Sequence, residues 1–137
     1  MLDDYALDPA WAPRGEFLVY SGINIGTAFP VKAITAVGQP YKIPELMLSR
    51  GAALGVTQVG ARRLRFLPGQ AALAVLRGNV QHKNLWAWEL TTGSWRQLTN
   101  FGRDIVIGDF DVAPDGRSVV FERVQERSDI VVIDRTD

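Results

Sequence analysis

Apolar and polar residues alternate in short runs along most of the chain, and glycine, proline and polar clusters break the runs at close intervals. The clearest passage is residues 84–123, NLWAWELTTGSWRQLTNFGRDIVIGDFDVAPDGRSVVFER. It holds two strand-like runs joined by Thr-Thr-Gly, a polar loop, and two more runs joined by Pro-Asp-Gly. Short runs rich in β-branched and aromatic residues, bounded by turn residues, read as strands. The pattern predicts strands at 7–11, 16–21, 31–37, 41–43, 61–67, 71–76, 85–90, 95–99, 105–112, 118–123 and 130–134. No window sustains the apolar spacing of a helix, so the chain is predicted to be all-β. Residues 44–60 are the least regular: one helical turn would fit ELMLSRGAALGV, but its two glycines and early serine favour an irregular crossover.

The runs repeat. Pro13, Pro68 and Pro114 each open a hairpin turn, with separations of 55 and 46 residues. Five residues after each proline stands an apolar residue, at Leu18, Leu73 and Val119. A third strand follows at Val31, Leu85 and Ile130, and in the first two copies Gly38 and Gly93 turn the chain into a fourth. Four short antiparallel strands in a unit of roughly 40 to 50 residues is the pattern of a β-propeller blade. The blades are expected at 5–44, 61–100 and 105–137, with 45–60 as an irregular insertion. Residues 129–133 (DIVVI) are apolar on both faces, as a strand packed between two neighbouring blades would be.

The stretches APDGRSVVF (113–121) and NLWAWELTTGSWRQLT (84–99) resemble the TolB-type WD40-like (PD40) propeller repeat. That repeat combines a Pro-Asp-Gly hairpin, a strand of the NIWVxDLxTG kind and a strand ending RQLT. The first copy, with Arg14 in place of aspartate, departs from it, and 44–60 lie outside it. The resemblance implies a bacterial propeller module. Its members include periplasmic TolB, sensor regions of bacterial regulators and the propellers of prolyl-oligopeptidase-type peptidases, so the fold alone does not set the function.

Three blades cannot close a ring, because each needs a neighbour on both faces. The third copy stops at Asp137 without its glycine turn and fourth strand, and Met1 to Tyr5 is short for a replacement. Two arrangements satisfy the open faces: a two-fold homodimer forming a six-bladed ring, or a C-terminal half of a larger propeller. The dimer is the expectation.

Composition narrows the function classes. Of 137 residues 47% are apolar, enough for a real core. Fifteen basic residues balance fifteen acidic ones, which gives no field favouring nucleic acid or an anionic membrane. With no cysteine there is no disulfide, thiolate metal site or cysteine nucleophile. No apolar stretch is long enough to span a bilayer as a helix. The start, MLDDYALDPAW, lacks the basic and apolar regions of a secretory signal. A cytoplasmic protein is expected, or a periplasmic one whose leader has been removed.

The candidate ligand-binding residues are Asp109, Asp111, Arg63 and Arg65. Asp109 and Asp111 flank Phe110 on a first strand, and alternation puts both carboxylates on one face with Phe110 and Val112 on the other. First strands line a propeller's channel, so the pair would suit a cation or an amine; capping of backbone amides at the blade turns, by one or both, is the commoner role for such aspartates. Arg63 and Arg65 share a face of the corresponding strand in the second copy, placed to answer the aspartates or to bind an acidic ligand, or simply to solvate a strand end. His82 is the only histidine and has no ligand partners at metal spacing. Related propellers that act as pectate-type lyases use several histidines at a metal, which argues against that activity. Trp86 and Trp88 share a face that invites sugar stacking, although aromatics between blades more often fill space. Gly22 to Gly26 lack phosphate-loop spacing, and Ser21 and Ser49 sit in no nucleophile elbow. No cofactor or metal is expected. The function expected is a non-catalytic module binding a protein or peptide; the alternative is an accessory propeller of a larger peptidase or sensor.

Overall fold

The structure, a computed structural model, describes residues 7–22, 28–49, 64–78 and 82–125. These residues form ten strands in three antiparallel sheets, and no helix occurs among them. The first sheet runs in chain order through β1 (Leu7–Trp11), β2 (Phe17–Ser21), β3 (Ala28–Thr35) and β4 (Met47–Ser49). The second repeats that order with β5 (Arg65–Phe66), β6 (Ala72–Gly78), β7 (Lys83–Glu89) and β8 (Trp95–Gln97). The third contains β9 (Val106–Val112) and β10 (Val119–Val124). The strand expected at 130–134 lies outside the described residues.

The three proline turns are built alike. The residue before each proline donates its amide across the hairpin: Ala12 to the Phe17 carbonyl (2.9 Å), Leu67 to Ala72 (2.9 Å) and Ala113 to Ser118 (2.9 Å). Its carbonyl closes the turn, accepting from Gly15, Gln70 and Gly116. The glycine differs in position. Gly15 and Gly116 follow the proline by two residues, whereas Gly69 follows it directly, with φ +68°. The second turn therefore carries its positive φ where a type II turn requires it, and glycine accepts that without a Cβ clash.

The fourth strand of the first sheet is not the expected 41–43. Tyr41 donates to the Ala33 carbonyl (2.8 Å), and the chain next rejoins β3 where Val31 donates to Leu46 (2.8 Å). Residues 42–45 bow out between these bonds, and Met47 to Ser49 then pair with Pro30 to Ala28. Pro44, which has no N–H to give a ladder, lies in the bow and packs near Gly93. The first sheet thus reaches into the stretch expected as insertion, and 50–60 lie outside the described residues.

The sheets stack face on face with the second in the middle. Leu64, Leu73, Val75, Trp88 and Leu90 of the second sheet and its turns meet Ala10, Ala12, Phe17, Val19, Val31, Ala33 and Leu46 of the first. From its opposite face Leu67, Ala72, Ala74, Leu76, Leu85 and Ala87 meet Ile107 and Phe110 of the third, with Val119 and Phe121 alongside. This explains why residues 72–76 are buried without interruption: a sheet covered on both sides has no wet face to alternate toward.

Candidate functional site on the first strands

The first strands of consecutive sheets are neighbours, β1 beside β5 and β5 beside β9. This adjacency joins two of the candidate residues across 46 positions of sequence. Arg65 Nε donates to Asp111 Oδ1 at 3.1 Å, and its Nη1 donates to the Leu64 carbonyl at 3.1 Å. The side chains are 26% and 51% exposed, so water screens the pair and its stability contribution is about 0.2–1 kcal/mol. Arg63 lies outside the described residues.

Asp109 and Asp111 share a face, as alternation requires, with Phe110 buried on the other. Each also accepts the amide of the next residue, Asp109 from Phe110 (2.8 Å) and Asp111 from Val112 (2.9 Å). The amide-capping role is therefore real for both, but within the strand rather than at its turn. Glu122, from β10, lies on the same face over Gly108. Together these acids border a shallow groove of about 370 Å³ that Val120 also lines. Such a surface can hold an ammonium or guanidinium group. Among the described residues no three His, Cys, Asp or Glu side chains converge as a metal site.

A bulge in β9 decides which side chains reach this face. Phe121 pairs with Phe110, yet Arg123 pairs with Ile107, so Gly108 and Asp109 together oppose Glu122. Unbroken alternation would place Ile107 on the face of Asp109 and Asp111; the extra residue returns it to the core.

The tryptophans are not an open platform. Trp88 is 1% exposed between the first and second sheets. The Arg77 guanidinium covers Trp86 at 5.0 Å and Trp95 at 4.7 Å from the ring centroids, a cation–π arrangement. His82 is half-buried where the chain enters β7.

Two residues were not singled out from the sequence. Buried Asn84 accepts at Oδ1 from the Thr99 hydroxyl (2.9 Å) and the Phe101 amide (2.7 Å), while Leu85 donates to Thr99 Oγ1 (2.9 Å). The network ties β7 to the segment leading into β9. Its signal was present, since Asn84 and Thr99 are the first and last residues of the stretch NLWAWELTTGSWRQLT. Lys83, beside it, is nearly buried, and desolvation pushes its amine down from the ordinary value of 10.5. Between that lowered value and 10.5 the unfolded chain holds the proton that the folded chain has lost, so stability should rise with pH there. Lys83→Met is expected to stabilise the protein at neutral pH and to flatten this rise. Urea unfolding between neutral pH and about pH 10 tests it, and a variant with unchanged pH dependence would refute it.

The described residues thus define a class of architecture: an all-β protein of stacked antiparallel meanders, with a charged cluster where its first strands meet. No protein-family model matches the chain, and no curated protein matches it.

Proposed function

We propose that this chain is a half-propeller of the TolB-type WD40-like (PD40) class, acting as a non-catalytic module that binds a protein or peptide. One observation carries the propeller reading: equivalent repeat positions face equivalent neighbours. The residue five after the turn proline faces the preceding sheet in the second and third copies, as Leu73 and Val119. The residue after it faces the following sheet in the first and second, as Val19 and Ala74. A stack that repeats by one operation, with first strands adjacent in order, is how blades surround an axis. Two copies would complete a six-bladed ring, and light scattering should then give a mass near twice 15.1 kDa that survives dilution.

The binding reading is supported by the Arg65–Asp111 pair on the strands nearest that axis, which offers both signs of charge to a peptide. Random peptides displayed against the wild-type protein are expected to yield a family whose affinity falls about tenfold for Arg65→Ala with Asp111→Ala. Peptides that bind this double variant equally well, or no enrichment over uncoated support, would sink the site.

A further inference from the structure

The stack has two ends, and the register of the repeat identifies what each end lacks. Leu73 and Val119 touch the sheet before them; their first-copy equivalent, Leu18, faces outward. Val19 and Ala74 touch the sheet after them; their third-copy equivalent is Val120, which is 71% exposed. Two residues before the prolines the pattern recurs. Phe66 and Val112 pack toward the preceding sheet, and their equivalent Trp11 is 54% exposed. Trp11, Leu18 and Ile34 are successive cross-strand partners, so they form one apolar row across the outer face of the first sheet.

The third-sheet end is also acidic. The outer face of the third carries Asp109 and Glu122 beside Val120. Two third-sheet faces that met would oppose these carboxylates, whereas the first-sheet face offers Val120 an apolar row in the register of the repeat. We infer that the occupant of each end is a second copy of this chain, docked head to tail. Val120 of one copy seats against the Trp11–Leu18–Ile34 row of the other. The inference rests on the half-propeller reading and adds the two surfaces through which it would close.

The chain has no cysteine, so a cross-link reports a single designed contact. Leu18→Cys and Val120→Cys are made separately, mixed in equal amounts and oxidised. A covalent heterodimer in the mixture, with no dimer from either variant alone, is the expected result. Self-linking of either variant alone would overturn head-to-tail docking. So would a mixture that stays uncrosslinked when Trp11→Cys, at an exposed position, also fails to link to Val120→Cys. The double variant Leu18→Cys, Val120→Cys separates this contact from ring closure. A covalent two-chain product supports both, while a ladder of longer products supports the contact and overturns the closed six-bladed ring.

Discussion

Replacing Trp88 by alanine is expected to cost about 3–5 kcal/mol of folding stability, the range for removing a fully buried aromatic. Trp88 lies opposite Leu73 on β6 and Trp95 on β8, its ring centroid 6.4 Å from that of Trp95. It also forms part of the core shared with Val19 and Ala33 of the first sheet. The cavity would open at the contact between two sheets, where each backbone is fixed by its own ladder and relaxes little. Trp86, two residues away and half-buried under Arg77, is the internal control. Its alanine variant should lose about 1 kcal/mol. Urea unfolding followed by circular dichroism compares the two, and equal losses would contradict the buried and covered placements assigned to these rings.

Gly78→Ala is expected to be nearly as damaging, at about 3 kcal/mol, although it adds a single methyl group. Gly78 ends β6 with φ +148° and pairs with Lys83 at the start of β7. A Cβ there would overlap the His82 carbonyl and come within 2.9 Å of Lys83 Cα. Both obstacles are backbone, so no rotamer change relieves them. Gly15 gives the contrast: its φ is +74°, but a Cβ would meet nothing within 4 Å. Gly15→Ala should therefore cost only the left-handed strain, about 1 kcal/mol. If both variants melt alike, close approach of the backbone is not what requires glycine at 78.

Much of the architecture was written in local pattern. Turn prolines and glycines marked all three hairpins because their backbone preferences act within four residues. Alternation placed Asp109 and Asp111 together for the same reason: a side-chain period of two is a property of one strand. Where local rules met an irregularity they failed. Nothing in residues 41–43 reveals that the ladder skips 42–45 and resumes at Met47, since this depends on which β3 groups remain to be paired. The β9 bulge was equally silent, and Gly108 gave only a hint of it.

By itself, then, the sequence determined an all-β chain, the period of its repeat and the presence of charged groups on first strands. Those features follow from φ preferences, pleat and composition. Tertiary structure alone decided that Arg65 meets Asp111, that Asn84 holds Thr99 and Phe101, and that Trp11 and Val120 are left exposed. Each depends on which sheet stacks against which, and that is fixed only when apolar faces from distant segments are buried together.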